Sequence, residues 1–230
     1  MTVATSSRQS ILDRIRKATA AGGGTGDDEL QRGYIRKGSL NEDERIALMT
    51  ERLREYDAEV VESGVADLPA TIAAELFAGG KKVLAAPQGL PAQWLAQGVN
   101  WRIDGNLDYA ELDGVEGVVT AASAGIAESG TIVLHHGPQE GRRVLSLLPD
   151  WHLCILRASQ IVQTLPEYFA LYPHPPALAT MLSGPSATAD IEMTRIKGVH
   201  GPRFLHVVIV RDAAQTRTGA TSSAGAGQAG

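Results

Sequence analysis

Between residues 58 and 104, short and nearly all-apolar runs alternate with helical segments, and this rhythm restricts the fold more than any other feature. Ala58-Glu59-Val60-Val61, Lys82-Val83-Leu84-Ala85-Ala86 and Asn100 to Asp104 read as strands. Asp67 to Phe77, with Pro69 in its first turn, and a segment from Pro91 to Ala96 read as helices. A strand covered on both faces has no side on which polar residues can alternate. Continuous apolar strands between helices therefore predict an α/β fold with a mostly parallel sheet, sandwiched on both faces.

Upstream, Ser7 to Ala20 has helical periodicity and ends at Gly22-Gly23-Gly24, which reads as a hinge. A second helix starts near Asn41, with Glu44 placed as a capping-box partner and Ile46, Met49, Leu53 and Tyr56 on one stripe. Both precede the first buried strand. Residues 1–57 are thus expected to form a helical arm, packed on the core or on a neighbouring subunit, and 58–211 the α/β domain. Further strands are expected at Gly117 to Ala122, Thr131 to Leu134, Val144 to Leu148, Leu153 to Leu156 and Leu205 to Val210, and a helix from Ser159 to Leu171. The tail, 212–230, is small and low in complexity, so disorder is expected there.

The formal net charge of -5 and the lack of a dense basic run argue against a nucleic-acid partner. No apolar run reaches the ~20 residues that span a bilayer. The N-terminal segment lacks the apolar core of a signal peptide, so a cytoplasmic location is expected. The single cysteine, Cys154, excludes an intrachain disulfide and a cysteine-rich metal site. Its neighbours Leu153, Ile155 and Leu156 mark it as a small buried hydrophobe.

Two stretches carry candidate chemistry. Gly125-Ile126-Ala127-Glu128-Ser129-Gly130-Thr131 is bounded by glycines between two apolar runs. Its amides and the Ser129 and Thr131 hydroxyls are suited to an anion, and Glu128 to a base or an acyl acceptor. Thr131 stands where a phosphate-binding Walker loop needs lysine, so that chemistry is excluded. An ordinary strand connection is the plainer alternative.

The second stretch, Met181 to Arg211, holds Gly184-Pro185 and Gly201-Pro202 around Asp190 and Glu192. On a strand the two acids share a face; on a helix they lie ~200° apart, serving as N-terminal charges. Ser183, Gly184, Ser186 and Gly201 complete this candidate wall, with His200 either an anion or proton-transfer group or a satisfied loop histidine, and Lys197 either a partner for Glu192 or an anion or simply solvated. His135 and His136 are adjacent and point apart on a strand, and the remaining histidines lack ligand spacing. No metal and no cofactor are expected. The absence of Gly-x-Ser-x-Gly disfavours a serine hydrolase.

Taken together and in order, Ala124 to Leu134, Ser183 to Glu192 and Gly198-Val199-His200-Gly201-Pro202 resemble the LutC/YkgG family of lactate-utilisation proteins, or LUD-domain proteins. The resemblance covers about Glu42 to Val210; Ala187 stands where relatives carry a larger, often polar or basic, side chain. It implies a Rossmann-like three-layer sandwich of the NagB/RpiA/CoA-transferase-like type. It also implies a part in oxidising L-lactate to pyruvate beside iron–sulfur partner proteins, and a small anionic ligand contacted by Gly125, Glu128, Ser129, Gly130, Thr131, Ser183, Gly184, Ser186, Asp190, Glu192, His200 and Gly201. A stand-alone CoA-transferase-like enzyme using Glu128, or a regulatory small-molecule sensor, are the alternatives.

Overall fold

The apolar runs become one parallel sheet in the computed structural model, which describes residues 7–21, 33–188, 196–198 and 201–212. The expected glycine hinge at 22–24 and the expected disorder after 212 lie outside the described residues. The chain divides into two compact units, Met1–Ile35 and Arg36–Gly230. The first contains helix α1 (Ser7–Ala21), whose Asp13 accepts hydrogen bonds from Gln9 and Arg16 on its own surface.

The second unit runs α2 (Glu42–Glu55), β1 (Glu59–Gly64), α3 (Leu68–Ala78), β2 (Val83–Pro87), β3 (Asn100–Asp104), α4 (Tyr109–Asp113) and β4 (Gly117–Ala121). It continues with β5 (Ala124–Ile126), β6 (Thr131–Leu134), β7 (Trp151–Arg157), β8 (Ile161–Val162) and α5 (Leu165–Leu171). The last strands are β9 (Thr180–Leu182), β10 (Ala187–Thr188), β11 (Ile196–Lys197) and β12 (Phe204–Arg211). The central sheet has the order β1-β12-β7-β4-β2-β3, and every pairing in it is parallel. A second, mixed sheet has the order β8-β5-β6-β9, and β10 pairs with β11.

Alternation along each central strand sends side chains to two cores. Leu84, Val119, Leu153, Ile155 and Val208 meet α3 and Trp94 on one face. Val60, Cys154, Leu156, Val207 and Ile209 meet α2 and the second sheet on the other. The second sheet is itself two-sided: Ile132 and Leu134 point inward, whereas Val133 joins Ile126 beneath Tyr168 of α5.

Helix α2 starts as its sequence requires. Asn41 accepts from the Glu44 N–H, and the Glu44 carboxylate accepts from the Asn41 N–H. Ile46, Met49 and Leu53 are fully buried, but Tyr56 caps the helix, is 42% exposed and so does not continue the stripe. The expected strand Val144 to Leu148 is instead a 3-10 turn, Arg143–Ser146, closed by the Ser146 hydroxyl on the Arg143 carbonyl. An apolar run this short carries no periodicity of its own, and burial of Leu145 beside Leu112 and Val118 decides its shape. The expected helix from Ser159 to Leu171 is broken into a 3-10 turn, Ala158–Gln160, then β8 and α5. Thr164 and Glu167 form a capping box there with Pro166 in the first turn, so the helix begins late. The Pro91 to Ala96 helix shrinks to a 3-10 turn, Ala92–Trp94.

Candidate functional site

The glycine-bounded stretch forms a tight hairpin. Strand β5 leads to a 3-10 turn, Ala127–Ser129, and Gly130 in the left-handed region (φ 59°) returns the chain as β6. A Cβ at Gly130 would stand 2.7 Å from the Cβ of Arg52, and one at Gly125 would come within 2.9 Å of Leu156. Both glycines therefore answer to close packing, Gly130 on α2 and Gly125 in the core. Ser129, Thr131 and Ser183 form a chain of hydroxyls, with Oγ–Oγ1 and Oγ1–Oγ separations of 2.7 Å each. This chain joins the two motifs, because β9 runs antiparallel to β6 and delivers Ser183 beside Thr131. Glu128 is exposed and accepts one hydrogen bond from Gln163 Nε2 at 3.2 Å.

Gly184 (φ 97°) packs against Tyr56, where a Cβ would come within 2.5 Å of the tyrosine Cβ. The Ser186 N–H donates to the Pro202 carbonyl at 2.8 Å, and a Cβ at Gly201 would sit 3.4 Å from that of Ser186. The two Gly-Pro pairs are thus brought together through Ser186. Asp190, Glu192 and His200 lie outside the described residues. Lys197 is in β11.

A different place has the form of a ligand site. At the carboxyl ends of β2 and β3 a cleft of about 680 Å³ is lined by residues 87–89, 104–106, 136–138 and 141–143, with Leu178 at its edge. The connection leaving β2 passes over the face carrying Trp94, whereas the one leaving β3 carries Leu112 to the opposite face. Chains departing to opposite sides open a crevice, and open α/β sheets hold ligands there.

The cleft is rigidly built. Asp104, its side chain 2% exposed, accepts the Asn106 and Leu107 N–H groups at 3.2 and 3.0 Å. It also accepts both prongs of Arg142, from Nε at 2.9 Å and Nη2 at 2.6 Å. The Arg142 hydrogen bonds, reinforced by the two amides, hold the Asp104 carboxyl below the usual carboxylate range against the opposing effect of burial. Arg142 is correspondingly neutralised, and it also donates to the Leu107 carbonyl. Arg143, next in the chain, is exposed and lines the same cleft, and its guanidinium has no hydrogen bond or ion pair among the described residues.

Behind the lining, the buried Glu140 accepts from the Ser123 hydroxyl and from the Gly137 N–H. His136 sits in the left-handed region (φ 58°), 3.0 Å from the Gly141 carbonyl through Nδ1 and 2.8 Å from Thr180 Oγ1 through Nε2. A carbonyl only accepts, so Nδ1 carries the proton. Its neighbour His135 turns to Tyr168 and Tyr172, so the pair has no common partner. Among the described residues no three His, Cys, Asp or Glu side chains are grouped to hold a metal. Of the cleft's polar residues only His136 is weighed from sequence, as a metal ligand beside His135, although Gly141-Arg142-Arg143 soon after Gly137-Pro138 is a usable signal.

Two buried groups lie in the central sheet itself. His152 hydrogen-bonds Thr120 Oγ1 at 2.8 Å through Nε2, and its Nδ1 has no partner among the described residues. Burial lowers its pKa to about 4. Burial likewise pushes the Cys154 thiol up to about 12, so Cys154 is an inert core residue, as its apolar neighbours suggested.

The family described as the LUD domain matches residues 40–210. The chain is 41% identical over 175 residues to a Deinococcus radiodurans protein named Lactate utilization protein C, covering 74% of this chain and 82% of that one. A Geobacillus protein of the same name is 38% identical over 46% of each chain. Among solved structures, a DUF162 family protein from Deinococcus radiodurans superposes with a TM-score of 0.63 at 35% identity, covering 75% of this chain and 99% of that one.

Proposed function

The chain belongs to the LUD domain family, and on that premise we propose that it acts in the utilisation of lactate. The carrying observation is the 41% identity that extends over 82% of a relative named Lactate utilization protein C. Taking lactate to pyruvate releases two electrons and two protons; iron–sulfur clusters pass such electrons on one at a time, and each cluster is held by several cysteine thiolates. This chain has one cysteine, buried and held protonated. The clusters would then lie in iron–sulfur partner proteins, with this chain as a component that holds none itself. Binding of a small anionic ligand belongs to the same proposal. The hydroxyl cluster at one end of β6 and the cleft at the other are the two places offered for it.

Deleting the gene and comparing growth on L-lactate with growth on pyruvate tests the role. Growth on lactate alone should fail and return with the gene restored; equal growth on both would refute it. Tagged protein from lactate-grown cells should retain an iron–sulfur protein, and its recovery without one would remove the partner clause.

A second reading, acyl transfer through Glu128, draws on the solvent exposure of that carboxylate. It requires Glu128→Gln to abolish transfer from an acyl-CoA donor that the unaltered protein sustains.

A further inference from the structure

We infer that the cleft at the ends of β2 and β3 binds an organic anion larger than lactate, with its phosphate or carboxylate group on Arg143. The inference rests on the ligand-binding half of the proposal above and not on the pathway. Three observations carry it. The cleft lies where the connections from β2 and β3 leave for opposite faces of the sheet. Its volume of about 680 Å³ falls within the roughly 300–1,000 Å³ of small-molecule sites, far more than a three-carbon acid fills.

The third observation is electrostatic. Arg142 and Asp104 cancel each other in a two-pronged pair, and Glu140 is turned behind the lining toward Ser123 and Gly137. Among the described residues, Arg143 is left as the uncompensated charge lining the cleft. A planar guanidinium with its donors free matches two oxygens of a phosphate or carboxylate. Fixed by Asp104 and Arg142, the loops need little reordering when a ligand enters. Pro87, Pro138 and Leu178 add apolar wall for the body of the molecule.

The hydroxyl cluster of Ser129, Thr131 and Ser183 is a separate place. It lies at the opposite end of β6, roughly 10 Å of strand away. Its hydroxyls already bond one another, and no cationic side chain among the described residues bonds to them.

The full-length protein is titrated by calorimetry with AMP as the phosphate-bearing probe, citrate as the carboxylate-bearing probe, and L-lactate. AMP or citrate should bind, and whichever does identifies the head group. Arg143→Gln should weaken that binding roughly tenfold or more, with Arg143→Lys recovering part of it. Arg102→Gln, an exposed arginine of β3 outside the cleft, should leave it unchanged. Unaltered thermal unfolding of the Arg143 variants excludes misfolding as the cause. Binding of none of the probes, binding of lactate alone, or equal binding by Arg143→Gln would each overturn the inference. Loss of growth on lactate is a separate readout, so a failure of the site and a failure of the pathway role remain distinguishable.

Discussion

His152 sits in surroundings that oppose its ordinary chemistry. The buried imidazole has a folded pKa of about 4, below the ~6.5 of an unfolded chain. The stability it contributes is complete above pH 6.5, where both states hold the neutral ring. It is lost as pH falls toward 4, because only the unfolded chain takes up the proton. The slope contributed is at most about 1.4 kcal/mol per pH unit. Asp104, Asp150 and Asp212 also have lowered values, but as carboxylates they contribute their losses below about pH 4. Denaturant unfolding between pH 6.5 and 5 should therefore show a slope that His152→Gln flattens; an identical slope in the variant would remove the assignment. Gly130 makes a second residue-scale point. Its positive φ and its closeness to Arg52 predict that Gly130→Ala costs about 1–3 kcal/mol, read as a lowered denaturant midpoint. From sequence alone that glycine looked like part of an anion loop, because close approach to a ligand and close approach to a helix select the same residue.

At the scale of elements, local signals were legible wherever they were self-contained. The capping box at Asn41 and Glu44 could be read directly because all its partners lie within four residues. Asn41→Ala should cost about 1 kcal/mol in equilibrium unfolding, and an unchanged midpoint would mean that α2 is held by packing alone. The break at Thr164 uses the same chemistry, although a helix expected from Ser159 to Leu171 runs across it. The Arg142–Asp104 pair shows the opposite limit, since its partners are 38 residues apart. Arg142 is 42% exposed, so the ion pair itself adds little; the Asn106 and Leu107 amides that Asp104 also holds matter more. Asp104→Ala should lower stability by about 1–2 kcal/mol and speed amide exchange at residues 106 and 107 ahead of β3.

For the whole molecule, the unit Arg36–Gly230 contains the entire parallel sheet and its four buried clusters. A chain beginning at Arg36 should then unfold in one cooperative transition with the midpoint of the full protein; a broad, non-cooperative melt would show that residues 1–35 are needed for the core. The expected boundary at residue 57 is a proposal of a different kind, and α2, with Ile46, Met49 and Leu53 in the core, falls within the matched family region 40–210.

The sequence by itself determined the parallel sheet and its strands, the start of α2, the buried state of Cys154 and the family, because each depends on periodicity, a local cap or an ordered set of short motifs. Tertiary structure alone decided that Gly125 and Gly130 serve packing, that Ser129, Thr131 and Ser183 meet, and that a cleft opens between residues 87–89, 104–106, 136–138 and 141–143. The physical reason is sheet order. Strands β2, β3 and β4 become neighbours through long-range pairing, and only once β3 is seated beyond β2 can Arg142 reach Asp104 and leave Arg143 open to the cleft.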